Sequence, residues 1–327
     1  MSLFNPPTPY RINDTSAYHR ERMNTLGWEL TVTNALEDPA SPCRGILLKN
    51  DSFGNLLHTH LSAIISWGTV SSILEIGGGY GYLMRDLLTR NPSTRAAMLD
   101  LSPVLIDKQR ETLKDFRVDF ILRDFFEADR AFINQFDMVL LNEVAGDFPT
   151  LCTVDPRCLA LPDSGLDPPL AKAKNFFAAY DLPVPPHAFN LNLGAIEAVE
   201  KLCEARVKYL YVSEHSSEAK VPDELKNKIR ISGAGDPERI RLAGHDEYTV
   251  RFSHLRRVAE RFGYRTVHGR YSDFIPFELN GRLNFILTSD SQREEHEIIR
   301  HFIEDLFKYE YMICIRREGE DAYPRLL

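Results

Sequence analysis

The sequence predicts an α/β fold with a doubly wound, mostly parallel sheet, and three observations carry that expectation. The first is Ile73 to Leu88, ILEIGGGYGYLMRDLL, where an apolar run enters a glycine-rich turn and leaves as an amphipathic helix. The second is a regular alternation of signals. Strands are expected near 72–76, 96–100, 118–123, 137–142 and 207–213, with helices at about 80–90 and 103–115. The third is FDMVLLNEV, whose apolar part is nearly continuous, as a strand buried on both faces requires. That strand belongs at the centre of the sheet.

The elements follow in order. Residues 1–55 are mixed and polar and read as a lead-in or lid, with a helix around Ser16 to Thr25. Leu56 to Trp67, LLHTHLSAIISW, has helical spacing and leads into the first strand. The main domain is expected to comprise 56–149 and 187–317. Between them the alternation breaks: eight prolines from Pro149 to Pro186 flank one short helical patch, too long for an ordinary connection. Residues 150–186 are therefore expected to be an insertion over the site. NLGAIEAVEKLCEAR restores the pattern as a helix capped by Asn190 or Asn192, and 217–245 is again irregular. The remainder reads as a helix at 252–262, strands at YRTVHGRY and RLNFILTS, a helix from Gln292 to Phe307 and a terminal strand YMICIRR, giving the sheet a late antiparallel strand.

Composition narrows the function. At 327 residues with 43% hydrophobic content the chain can bury a sizeable core, and a net charge of −8 argues against a nucleic-acid partner. No run approaches 18 apolar residues and no leader pattern opens the chain, so no membrane partner is expected and the cytoplasm is the expected location. The five cysteines, odd in number and without a CxxC pair, suit reduced thiols. The histidines show no HExxH, and His58 and His60, two apart, would diverge on a helix. No metal is expected from these spacings. A homodimer is allowed.

The glycine turn is the main clue to ligand. Gly77, Gly79 and Gly81 form GxGxG with Glu75 two positions before the first glycine. A dinucleotide fingerprint needs a glycine where Tyr82 stands. An acid before the turn suits the cationic amine and sulfonium of S-adenosylmethionine and would repel a pyrophosphate. A dinucleotide and a ligand-free turn are the alternatives. Asp100, 23 residues after Gly77 at the end of the second strand, is placed to reach ribose hydroxyls, although it could merely start the next helix. Asp124 and Phe125, after the third strand, could serve the adenine amine and face.

Methyl transfer from a sulfonium needs proximity, alignment and, for a protonated acceptor, carboxylates. Asn142, Glu143 and Asp147 follow the fourth strand, where open α/β sheets place ligands, and Glu143 is the leading candidate to hold an acceptor nitrogen. His215, after the fifth strand, could be a base or simply be held in place. His245, Asp246, Glu247 and Tyr248 could face substrate or cap the following helix.

Taken together, SFGNLLHTHL, EIGGGYGYLMRDLL, LDLSPVLIDKQRETL, NEVAGDFP, NLGAIEAVEKL and HDEYTVRFSHLRRVAERFGY, with a later aromatic at Phe274, resemble the MidA-like methyltransferases over most of residues 52–275. That family includes the mitochondrial protein arginine methyltransferase of respiratory complex I assembly. The resemblance implies a class I methyltransferase (Rossmann-like) sheet and S-adenosylmethionine bound by Glu75, Gly77, Gly79, Gly81 and Asp100, leaving S-adenosylhomocysteine as product. It also implies Asn142, Glu143 and Asp147 beside the methyl group, and a protein arginine as acceptor. The chain departs from the family pattern at Ser213-Glu214-His215, at Val144-Ala145 and at His245. Two other functions are carried forward. One is a small-molecule O- or N-methyltransferase with Phe176, Phe177 and Tyr180 lining its pocket; the other is a non-catalytic S-adenosylmethionine-binding assembly protein.

Overall fold

The computed structural model describes residues 10–23, 31–231 and 233–317. The outer part of the helix expected near Ser16 to Thr25 falls beyond the described residues, and Ser16–Glu21 is helical. The central sheet has seven strands: β1 Ser72–Ile76, β2 Arg95–Asp100, β3 Val118–Leu122, β4 Met138–Asn142, β5 Tyr209–His215, β6 Tyr264–Arg270 and β7 Tyr309–Arg316. Their spatial order is β6-β7-β5-β4-β1-β2-β3. All pairings are parallel except those of β7, which runs antiparallel to both neighbours. This is the class I methyltransferase arrangement that the sequence predicts.

β1 and β4 are buried at every position, consistent with their largely apolar sequences and central location. One apolar cluster covers each face of the sheet. The first gathers Leu74, Val139 and Leu141 with the helices Leu193–Glu204 and Phe252–Arg261. The second gathers Ile73, Met138 and Leu140 with the helices Phe53–Ile64, Tyr82–Arg90 and Glu294–Lys308. Alternate strand residues thus feed opposite layers. The chain runs from β1 outward to β3 and then returns to place β4 on the other side of β1. The switch point of the topology lies between β1 and β4, where a crevice opens at the strands' carboxyl ends.

One strand expectation is overturned. RLNFILTS is a helix, Gly281–Thr288, capped by the Asn280 side chain, which accepts from the Leu283 amide at 3.0 Å. Leu283, Phe285 and Leu287 alternate like a strand, but the buried set is Leu283, Ile286 and Leu287, and Phe285 is exposed. The operative period is therefore helical.

Residues 150–186 hold a strand and a helix rather than an open connection. Thr150–Val154 pairs antiparallel with Arg11–Asn13 on one side and Phe189–Leu191 on the other. The helix Pro168–Ala179 is capped by Asp167, and Phe176, Phe177 and Tyr180 are buried in the first apolar cluster. All five cysteines are free and buried. Among the described residues no helix is long and apolar enough to cross a membrane.

Candidate active site

The site begins with Glu75, the fourth residue of β1. Burial on both faces of the sheet leaves its side chain almost fully covered. Burial, with the Asp100 charge adding to it, pushes its carboxyl up to about 8. The carboxyl accepts from the Met84 amide, in the first turn of Tyr82–Arg90. That helix is N-capped by Gly81, which has no side chain, so Glu75 supplies an acceptor for the Met84 amide at the positive end of the helix dipole. Glu75 Oε2 remains buried without a hydrogen-bond partner.

The turn that follows has Gly77, Gly79 and Gly81 all at positive φ. The need for glycine is sharpest at Gly77: an ideal Cβ there would meet Val144 Cγ2 at 2.4 Å. The turns after β1 and β4 therefore touch across the switch point. Asp100, at the end of β2, accepts from the Ser102 amide at 2.9 Å and from Gln109 Nε2 at 2.8 Å. Gln109 also donates to the Gly79 carbonyl at 3.1 Å, tying the acid to the glycine turn. Ser102 caps Pro103–Thr112, so Asp100 is not needed as the cap. Burial pushes the Asp100 carboxyl up to about 6.

Asp124 Oδ1 accepts from the Phe126 amide at 2.9 Å and its Oδ2 pairs with Arg20 at 2.9 Å. Phe125 is buried and stacks near Phe148. At the end of β4, Glu143 has φ 55, an uncommon conformation for a residue with a Cβ and of the kind that marks functional turns. Its Oε1 accepts from Thr33 Oγ1 at 3.2 Å and Tyr271 OH at 3.4 Å, whereas its Oε2 is buried without a partner. Burial first, and then the Glu214 charge, push this carboxyl up to about 7. Asn142 Oδ1 accepts from Ser213 Oγ at 3.0 Å and Tyr271 OH at 3.1 Å; its Nδ2 donates to Thr33 Oγ1 at 3.2 Å. Asp147 Oδ1 lies 2.9 Å from His19 Nε2.

One cavity connects these groups. Glu75, Gly77, Gly79, Asp100, Asp124, Phe125, Asn142, Glu143 and Asp147 all line it; Gly81 stands behind the turn against Leu113. The cover comes from the N-terminal segment, through Thr15, His19, Met23, Thr31 and Thr33. Residues 150–186 contribute nothing to the lining, because their apolar side chains are committed to the core. Phe176, Phe177 and Tyr180 thus do not form walls for a small-molecule pocket.

Other expectations are redirected. His215 points away from the cavity: its ring lies 3.9 Å from that of Tyr309, and its Nε2 is 3.6 Å from Asp305. Glu214 accepts from the Gly146 amide at 2.9 Å and so shapes the turn carrying Asp147. Asp246–Tyr248 pairs with Arg239–Arg241 as a hairpin rather than capping a helix, and His245 comes within 3.5 Å of Asp147. The sequence does not single out Thr33, His19 or Tyr271. Each reaches the site from more than 100 residues away, and no local pattern marks them.

Residues 74–154 match the family model described as a methyltransferase domain. The malonyl-acyl-carrier protein O-methyltransferase of Acetivibrio thermocellus is 37% identical over 71 residues, covering 21% of this chain and 24% of the relative. The chain thus matches about a quarter of that relative's length. Among solved structures, an uncharacterized superfamily protein from Burkholderia thailandensis is 18% identical, with 87% of this chain and 86% of that one covered at a TM-score of 0.49. A second member of that superfamily from the same organism, crystallised with S-adenosyl-homocysteine, is 17% identical over 81% of this chain and 76% of that one, with a TM-score of 0.48.

Proposed function

We propose that this chain, in which residues 74–154 match a methyltransferase domain, is a class I methyltransferase that uses S-adenosylmethionine. The observation that carries the reading is a pair of buried carboxylate oxygens, Glu75 Oε2 and Glu143 Oε2, each without a partner and each belonging to a residue that lines the same cavity. Unpaired buried acids are costly, and a cationic ligand between the turns after β1 and β4 satisfies them. S-adenosylmethionine is such a ligand, and when bound it supplies an electrophilic methyl group.

The chain's own residues then have distinct tasks. Glu75 and the turn of Gly77, Gly79 and Gly81 hold the amino-acid end of the cofactor. Asp100 has acceptor capacity left for ribose hydroxyls, and Asp124 and Phe125 serve the adenine. Asn142, Glu143 and Asp147 border the acceptor. Glu143 both orients a nitrogen nucleophile and takes its proton, since a carboxyl near neutrality is matched to that transfer. The acidic surroundings favour a basic nitrogen, such as an arginine side chain of a protein, over an apolar small molecule. Proximity and alignment supply most of the acceleration.

Calorimetry with S-adenosylmethionine and S-adenosylhomocysteine tests the cofactor, and labelled cofactor incubated with arginine-containing proteins tests the acceptor. Binding of both compounds, with label on protein, is expected. A folded sample without affinity for either overturns the reading, and label confined to small molecules overturns the acceptor.

A further inference from the structure

Three side chains outside the cofactor turn converge in the described residues. His19 comes from the helix Ser16–Glu21, Asp147 from the turn after β4, and His245 from the start of the hairpin strand Asp246–Tyr248. His19 Nε2 lies 2.9 Å from Asp147 Oδ1, and His245 Nε2 lies 3.5 Å from the same oxygen. All three atoms fall within 4.8 Å of one another. Glu247 Oε1, 3.3 Å from His245 Nε2, stands by as a fourth donor. The side chains are mostly buried, at 15%, 17% and 6% exposure for His19, Asp147 and His245. The rings are also constrained: His245 stacks on Tyr18 at 4.2 Å and meets His19 edge-on at 5.4 Å.

We propose that His19 Nε2, Asp147 Oδ1 and His245 Nε2 bind one divalent transition-metal ion on the wall of the cavity, fastening the N-terminal segment over the site. Two imidazoles and a carboxylate are a donor set for borderline ions such as zinc, and three protein ligands leave a coordination position open. An ion at the usual 2.0–2.1 Å from each ligand holds tetrahedral neighbours about 3.3 Å apart, close to the separations of His19 and His245 from Asp147. Asp147 and Glu247 bring two carboxylates to the two imidazoles, which suits a dication. His19 and Asp147 also line the cavity, so the open position is within reach of a ligand held there. The site shares Asp147 and the cavity wall with the proposed methyl transfer and goes beyond it in calling for a metal ion.

The test uses the full chain freed of metal by a chelator and titrated with Co²⁺, followed by its visible ligand-field bands, with Zn²⁺ competition and metal analysis. The expected result is one Co²⁺ per chain, displaced by Zn²⁺ and accompanied by slower proteolysis within residues 10–23. His19→Ala and His245→Ala each weaken binding roughly tenfold or more. His187→Ala, whose ring pairs with Asp236 at the surface, binds as the parent does. Absence of stoichiometric uptake by the parent chain overturns the proposal, and so does unchanged affinity in the His19 and His245 variants. If those variants fail to fold, Asp147→Asn and the parent titration decide. Calorimetry with S-adenosylhomocysteine on the same samples reports separately on the cofactor reading.

Discussion

At the scale of single residues, Glu143 concentrates the most chemistry: positive φ, one oxygen held by Thr33 and Tyr271 and the other buried without a partner. Glu143→Gln keeps size and one acceptor but cannot take a proton. Turnover is expected to fall by about 10²–10⁴ while calorimetric affinity for the cofactor stays within a few-fold. In the parent chain, kcat/KM should rise with pH through about 7 as the carboxyl ionises, and the variant should lose that step. Equal turnover of parent and variant would remove Glu143 from the reaction. Gly77→Ala is expected to destabilise the chain by roughly 1–3 kcal/mol and to weaken cofactor binding, since its Cβ meets Val144 and its φ is 64. Urea unfolding with a cofactor titration reads both effects. That Glu75, Asp100, Asn142 and Glu143 share one cavity was legible in the sequence because each sits at or near a strand end, Glu75 just before the glycine turn and Asp100 at a set spacing after it. Thr33, His19 and Tyr271 were not, because convergence from distant segments leaves no spacing to read.

At the scale of elements, the first four parallel strands are the most legible part of the fold. Ser72–Ile76 agrees to the residue and β2, β3 and β4 to within one, although β3 is a partly exposed edge strand, so the strand–helix alternation and its turn signals locate these strands as much as buried apolar runs do. Gly281–Thr288 was misread because a short apolar segment satisfies both periods, and the deciding signal was the cap at Asn280 rather than the apolar pattern. The segment around the short helix Val32–Ala35 shows how a small element matters through what it touches. Its Thr33 hydroxyl donates to Glu143 and accepts from Asn142. Thr33→Val preserves shape and removes both bonds. A loss of roughly 1–3 kcal/mol in unfolding free energy is expected. The midpoint of the pH profile should also move upward, because the Thr33 bond lowers the Glu143 pKa. A profile unmoved by this change would show that Glu143 does not set it.

At the scale of the whole molecule, the switch point between β1 and β4 brings like charges into one buried space, and stability registers this. Below about pH 7.5, carboxylates and histidines pull in opposite directions. His58, His60 and His254, depressed by burial, favour folding as pH rises toward the ordinary histidine value, while the raised acids disfavour it. Above about pH 7.5 these three carry almost no charge in either state, and the acids act alone. An acid raised in the folded state is ionised first in the unfolded chain, so stability should fall as pH rises until the folded group ionises. With Glu143 at about 7 and Glu75 at about 8, the ligand-free chain should lose roughly 1 kcal/mol between pH 7.5 and 8.5, most of it through Glu75. Saturating S-adenosylmethionine should flatten that slope, as urea titrations at both pH values would show. The arrangement also has a consequence for assembly. Arg11 donates to the Tyr248 hydroxyl and Asn13 to the Asp246 carbonyl, so a stretch made early meets partners made more than 230 residues later. Closing so long a loop comes late on the route to the native state. A nascent chain can therefore complete its parallel strands while the crevice still gapes, and gains a roofed chamber only once the far hairpin has emerged.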